Sequence, residues 1–319
     1  MNITRRAMLG IAASLPWTLA RGEAWPARPI TMLVPSTPGG VVDIAARHVQ
    51  PGLASDLGQS VVVENRPGGG GHIAASTVAR AAPDGYTLLC SAGSILISGV
   101  VRNLNYSPTT DLVPVTRLTS GSFLLLVPAS SPFKTLADLI AYGKANPGKL
   151  LYASTSVGNS THIGGEMLSQ LTGMKATHVP YKGNVPALMD LAQSRIDFSI
   201  DSRSPSLPFI RSGQVRPIAV TAATRDDDYP DLPAIAEQVD GYGIEGWVGL
   251  FAPAKTPAAV IDRLALAARK TLEDPTVAQR MRDSGAVPSW LSPADVAAFM
   301  KMDHARISKV VEAANIGVN

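Results

Sequence analysis

The chain has one cysteine in 319 residues, and only 5% of its residues are aromatic and 17% charged. Beyond its first two dozen positions, no apolar run approaches the roughly 20 residues needed to span a bilayer, so no stable membrane insertion of the mature chain is expected. A single cysteine excludes an intramolecular disulfide. Cys90 lies in the apolar run Tyr86 to Ser91 and reads as a buried, inert thiol. A paired-cysteine metal site, an H-E-x-x-H zinc helix, a Walker A loop and a G-x-S-x-G elbow are all missing, so neither metal nor cofactor is expected. Low-complexity sequence is confined to Gly68 to Gly71.

The charge is nearly balanced as well. Lys and Arg number 28 against 25 Asp and Glu, and setting aside Arg5, Arg6, Arg21 and Glu23 leaves 25 against 24, a net of +1. Without a clustered basic face, a nucleic-acid partner is not expected.

What is present is a globular composition, 45% hydrophobic, on a chain long enough for two cores. Residues 1–24 stand apart. Arg5 and Arg6 form a positive start, Ala7 to Leu19 an apolar stretch, and Gly22-Glu23-Ala24 a small-residue cleavage site, the organisation of an export signal. Thr4-Arg5-Arg6-Ala7-Met8-Leu9 also resembles a twin-arginine signal, so the expected destination is the periplasm by either the Tat or the Sec route.

From Trp25 onward, short apolar runs alternate with helical segments, the pattern of parallel βαβ units. Strands are predicted at Pro29 to Val34, Ser60 to Asn65 and Tyr86 to Ser91, with a helix from Val41 to about Leu57 kinked at Pro51-Gly52. A second series carries strands at Phe123 to Val127, Leu150 to Ala153, Thr177 to Val179, Ile196 to Ile200 and Val215 to Val220. Helices are predicted between them at Thr135 to Ala145, Thr161 to Leu171, Val185 to Ser194 and Pro205 to Ser212. One more strand, Trp247 to Ala252, precedes three amphipathic helices that begin at or near Pro257, Pro275 and Pro293. The chain therefore reads as an α/β protein of two domains. Residues 25–124 and 249–319 build the first, and 125–248 the second.

Ligands of open parallel sheets bind beyond the carboxyl ends of strands, and three such loops are chemically unusual. In Pro35-Ser36-Thr37-Pro38-Gly39-Gly40, paired glycines allow close backbone approach, and the following helix start offers unpaired N–H groups. Asp43 falls in that helix's first turn, where it serves either helix-end electrostatics or the shape of the pocket. The loop Ser154 to His162 concentrates hydrogen-bonding side chains at Thr155, Asn159, Ser160, Thr161 and His162, more than a helix cap requires. Asp201-Ser202-Arg203 is the third: Asp201 either touches ligand or braces the loop, and Arg203 either clamps a carboxylate or sits on the surface rim. Ser94, just past the third strand, completes the candidates.

Enzymatic readings are weaker. Gly69-Gly70-Gly71-His72-Ile73-Ala74 fits a degenerate dinucleotide pattern but follows the second strand and lacks the strand-end acid. A small-molecule hydrolase using Ser160 or Thr161 is the alternative, although Ser160 and His162, two apart at a helix start, would diverge.

Motifs spread over the mature chain carry a family likeness. They include Trp25-Pro26-Ala27-Arg28-Pro29-Ile30, Val62-Val63-Glu64-Asn65-Arg66-Pro67-Gly68, Ala82-Pro83-Asp84-Gly85-Tyr86-Thr87-Leu88-Leu89, Ala145-Asn146-Pro147-Gly148-Lys149-Leu150 and His178-Val179-Pro180-Tyr181-Lys182-Gly183. With Val34-Pro35, Pro38-Gly39-Gly40 and Asp43, these segments resemble the substrate-binding proteins of tripartite tricarboxylate transporters, the Bug receptors. The resemblance implies a periplasmic-binding-protein fold of the Venus flytrap type, two α/β domains joined by crossing strands around a ligand cleft. It implies no enzyme activity, but capture of a small carboxylate by a monomer, for transporter subunits in the membrane or for sensing. In such proteins the loops matching Pro35 to Gly40 and Ser154 to His162 grip ligand carboxylates through N–H groups, hydroxyls and water. This chain departs from the usual pattern at Ser36-Thr37, Val41-Val42, Asn159 and Arg203, which implies an altered pocket in which Arg203 favours a second acidic group.

Overall fold

The computed structural model describes residues 25–96 and 104–313, so the expected export signal lies outside the described residues. Three parallel strands open the fold: β1 (Ile30–Val34), β2 (Val61–Asn65) and β3 (Thr87–Ala92), linked through α1 (Val41–Leu57) and α2 (His72–Ala79). Then comes β4 (Leu112–Pro128), 17 residues long, followed by α3 (Leu136–Ala145), β5 (Leu150–Ser154), α4 (Ser160–Thr172) and β6 (Ala176–Pro180). The chain continues through α5 (Asn184–Ala192), β7 (Phe198–Ser202), α6 (Arg203–Arg211), β8 (Val215–Val220) and β9 (Glu245–Pro253). It ends with α7 (Ala258–Glu273), α8 (Pro275–Asp283), β10 (Pro288–Leu291) and α9 (Pro293–Ala313).

Two α/β domains result. One sheet runs β2-β1-β3-β9-β4-β10, the other β8-β4-β7-β5-β6, and β4 belongs to both. Its first half pairs antiparallel with β9 from Leu112↔Pro253 to Ser122↔Glu245. Its second half lies between β7 and β8, with Phe123↔Ser202 and Leu124↔Val220. β4 and β9 are thus the strands that connect the domains.

Each sheet is covered on both faces, which is why its strands read as continuous apolar runs. In the first domain Ile30, Met32 and Val34 pack with Val49 and Leu53 of α1 and Leu264 of α7, while Leu33 and Leu89 pack on the opposite face with Ala74 and Val78 of α2. In the second, Tyr152, Phe198 and Ile200 meet Leu136 of α3 and Ile163 of α4, and Leu124 and Leu126 meet Leu188 of α5 on the other side. Helix α1 continues through Pro51, and Gly52 lets α7 approach so closely that any Cβ there would collide with Thr271. Cys90 is buried without a disulfide partner, and burial pushes its thiol pKa far up.

Two expectations shift. The strand predicted at Phe123 to Val127 is only the second half of β4, whose first half is masked in sequence by Thr116, Arg117, Thr119 and Ser120. The strand predicted at Ile196 to Ile200 is Phe198–Ser202, so Asp201 and Ser202 belong to a central strand and Arg203 is the first residue of α6. Pairing of β7 with β4 as far as Ser202 carries the strand two residues further.

Candidate ligand-binding cleft

Four helices aim their N-termini at one cavity between the domains. The first residues of α1, α4, α5 and α6, namely Val41, Ser160, Asn184 and Arg203, all line it. A helix start carries unpaired N–H groups and roughly half a positive charge, so convergence of four makes an anion site without a lysine cluster. At α1, α5 and α6 the residue before the helix makes no side-chain cap, and of the first residues' amides that of Val41 is taken by Asn184. The cavity holds about 90 Å³, and Arg203 is the only charged side chain among the described residues that line it.

The floor is made by the connecting strands. Phe123 and Trp247 lie across it where Gly246 and Gly93 leave room: a Cβ at Gly246 would come within 2.6 Å of the Phe123 ring, and one at Gly93 would overlap the Trp247 indole. Trp247 is held by a 2.9 Å hydrogen bond from Nε1 to Asp303 Oδ2.

The loop between β5 and α4 is braced internally. Thr161 Oγ1 accepts from the Thr155 amide (3.0 Å) and donates to Asn159 Oδ1 (2.9 Å), while Asn159 caps α4 by accepting from the His162 amide at 3.0 Å. Asn159 also donates to the Thr155 hydroxyl. Of the residues predicted from sequence, Ser94, Thr155, Asn159, Ser160, Thr161 and Arg203 line the cavity.

The remainder stand behind it. Ser36, Thr37, Pro38, Gly39 and Gly40 do not line the cavity; they form a turn closed by Gly40 N–H donating to Thr37 O at 3.1 Å, with Gly39 in the left-handed region at φ 78°. This turn packs against the start of α5, where a Cβ at Gly183 would lie 3.0 Å from Thr37 Oγ1. Asp43 is buried and takes the bracing role, accepting from Gly39 N–H (2.9 Å), Arg47 Nε (2.9 Å) and Asn65 Nδ2 (2.9 Å). Burial alone would raise its pKa, but those donors together hold it below the ordinary value.

His162 does not line the cavity either. Its Nδ1 accepts from Gly158 N–H at 3.0 Å, which places the proton on Nε2, and its ring stacks on His178 with centroids 3.9 Å apart. His178 Nε2 pairs with Ser154 Oγ at 2.6 Å, and its ring also stacks on Tyr152 with centroids 4.9 Å apart. Burial lowers both imidazole pKa values, that of His178 to about 4, with the His162 charge adding to the effect. A base so placed does not serve Ser160.

Asp201 is fully buried under the cavity, and burial pushes its pKa up to about 7 against the opposing hydrogen bonds from Asn184 and the Ser202 amide. Arg203 is not on the rim, as one reading of the sequence had it. It is 6% exposed, with Nη1 donating to Asp226 Oδ1 at 3.0 Å and Asp228 Oδ2 at 2.8 Å.

Asn184 had no sequence signal beyond a polar residue opening a helix after Gly183. It donates to Asp201 Oδ1 and accepts from the Val41 amide at 3.3 Å, joining the two domains.

The chain matches the model of the tripartite tricarboxylate transporter family receptor over residues 45–316. It belongs to that family. A UPF0065 protein from the tcbD-tcbE intergenic region of Pseudomonas sp. strain P51 is 35% identical, over all of this chain and 97% of the relative. Among solved structures, Rpa4515 of R. palustris with adipate is 37% identical and covers 91% of this chain and 98% of its own, with a TM-score of 0.88. MatC from Rhodopseudomonas palustris with bound malate is 32% identical, covers 90% of this chain and 99% of its own, and has a TM-score of 0.83. Tripartite tricarboxylate transporter family receptors bind solutes and are not enzymes, and the two-domain fold with its interdomain cavity is that of a receptor. Among the described residues, no helix is long and apolar enough to cross a membrane.

Proposed function

We propose that the chain is exported with loss of residues 1–24, captures a small carboxylate in the periplasm, and presents it to membrane transporter subunits or to a sensor. The observation that carries this reading is the meeting of four helix N-termini in a single interdomain cavity. Such a site supplies positive potential through fixed dipoles, and a carboxylate is the metabolite group that fits it. Adipate and malate, the ligands of the two similar proteins, belong to the same chemical class.

The domains, residues 25–124 with 249–319 and residues 125–248, close on the ligand about β4 and β9. Ser94, Thr155, Asn159, Ser160, Thr161 and Arg203 contact it directly, while Ser36 to Gly40, Asp43, His162 and Asp201 shape and brace the cavity walls. No covalent chemistry and no cofactor take part.

Calorimetry with the form beginning at Trp25, across a library of organic acids, tests the reading. At least one small carboxylate gives saturable heat and stabilises the protein by about 2.7 kcal/mol at a hundredfold excess over Kd, without turnover. Silence across the whole library, with cleavage of a chromogenic ester, would overturn it.

A further inference from the structure

We infer that His162 is a positioning residue for ligand capture: its neutral imidazole holds the loop between β5 and α4 in the binding arrangement, so that proton and ligand compete and acidification releases the ligand. The inference rests on the carboxylate reading of the cavity and adds a regulation of that site.

That loop forms one wall of the cavity, lined by Thr155, Asn159, Ser160 and Thr161, and buried His162 follows directly in the first turn of α4. Its Nδ1 accepts from the Gly158 amide at 3.0 Å, and Gly158 sits in the middle of the loop in the left-handed region at φ 73°. A backbone N–H only donates, so Nδ1 is unprotonated whenever this contact exists. The ring has no room to swing aside. His178 stacks on it with centroids 3.9 Å apart and planes 13° from parallel, and Tyr152 lies 6.5 Å away in the same column. A proton on Nδ1 therefore sets two donors against each other, and the loop is the part that yields.

The groups packed around the ring set the direction of its titration. Glu166, one turn along α4, has Oε1 3.8 Å from Nε2 and favours the charged form, but that oxygen already accepts from the Tyr152 hydroxyl. From β6, His178 opposes a second positive charge in the stack. Tyr152 of β5 and Tyr242, whose hydroxyl reaches Gly164 O of α4 from the β8–β9 connection, are held neutral by burial. Strand β7 packs Phe198 and Ile200 into the same core as α4, while Asp201 alternates to its other face and meets Asn184. Burial outweighs Glu166, so the His162 imidazole sits below its ordinary 6.5. Once the loop loosens, water reaches the ring and that depression is relieved. The loosened receptor thus binds the extra proton, and affinity is lost as pH falls below about 6.5.

Titration calorimetry at about pH 7.5 and about pH 5.5 tests this on the wild type, His162→Asn and His162→Leu, with adipate, malate or, where neither binds, the organic acid that saturates the wild type. Asparagine puts an oxygen where Nδ1 stands and does not titrate; leucine removes the acceptor. Between the two pH values the wild type loses about threefold or more in affinity beyond the loss in His162→Asn, a ratio from which protonation of the acid itself cancels. At the higher pH His162→Leu binds up to about tenfold more weakly than His162→Asn. Equal losses in wild type and His162→Asn overturn the inference, as does equal binding by the two variants. Nuclear magnetic resonance on the wild type needs no variant: the Gly158 amide signal shifts together with the His162 ring on acidification, and a Gly158 amide that does not respond overturns the inference even where a variant fails to fold. Absence of heat with every organic acid overturns the carboxylate reading instead, and the Gly158 amide then decides whether His162 holds the loop.

Discussion

The amide of Val41 donates to the side-chain oxygen of Asn184 at 3.3 Å, so the first residue of α1 in one domain is tied to the first residue of α5 in the other. Because Asn184 also donates to the buried Asp201, a single carboxamide reports on both closure and the cavity floor. Replacing it removes a contact present only when the domains are together.

Asn184→Ala therefore weakens ligand binding as well as the fold. The lost Val41 contact costs about 0.5–1.5 kcal/mol, so affinity falls by up to about tenfold, while the unpaired Asp201 lowers stability with or without ligand. Stopped-flow measurements should place most of the change in faster ligand release. An unchanged release rate would show that the Val41 contact does not hold the closed state.

Asp201 makes stability decline with alkalinity. Its pKa stands at about 7 when folded and near 3.8 when unfolded, so between these values the folded state holds the extra proton. Its contribution is fully present below about pH 4 and is lost as pH rises through 7, by up to about 1.4 kcal/mol per unit. Asp201→Asn cannot titrate and should flatten this slope in denaturant melts between pH 4 and 8. A slope identical to that of the wild type would remove Asp201 as its source.

The stacked histidines act in the opposite sense. His178 is held down at about 4 by burial and by the His162 charge, so the unfolded state binds the extra proton below about 6.5, and stability is lost as pH falls from there towards 4. His178→Gln keeps a hydrogen-bonding group near Ser154 but removes the titration. It costs about 1 kcal/mol at pH 7 through lost stacking on Tyr152 and flattens the acid limb of the stability profile. Comparing the variants at Asp201 and His178 separates two opposing slopes that overlap in the wild type.

Gly93→Ala tests the floor of the cleft. The added methyl meets the Trp247 indole, which cannot yield without giving up its hydrogen bond to Asp303. Overpacking of this kind costs about 1–3 kcal/mol. A lower denaturation midpoint is expected together with weaker binding of the organic acid that saturates the wild type. Wild-type values for both would mean that the ring moves aside.

Much of the fold was legible because its signals are local. Pro38-Gly39-Gly40, the hydroxyl-rich run from Ser154 to Thr161, and proline at Pro275 and Pro293 mark where helices begin through local preference alone. The first half of β4 was not legible, because Thr116, Arg117, Thr119 and Ser120 interrupt its apolar pattern where it passes the cleft and the edge strand β10. β10 itself, four residues with Pro288 at its start, has no periodicity to detect.

The sequence by itself determined a chain of βα units in two domains, the loops at the carboxyl ends of their strands, and membership of the receptor family. Only the tertiary structure decided which residues of those loops line the cavity and which stand behind it. Asp43 and His162 turned inward to brace, Arg203 left the rim for a buried place against Asp226, and Asn184 emerged as the bridge between domains. The reason is sequence separation: a cap or a turn is set by neighbours a few residues away, whereas Val41 and Asn184 stand 143 residues apart and meet only when two independent cores are packed and brought face to face.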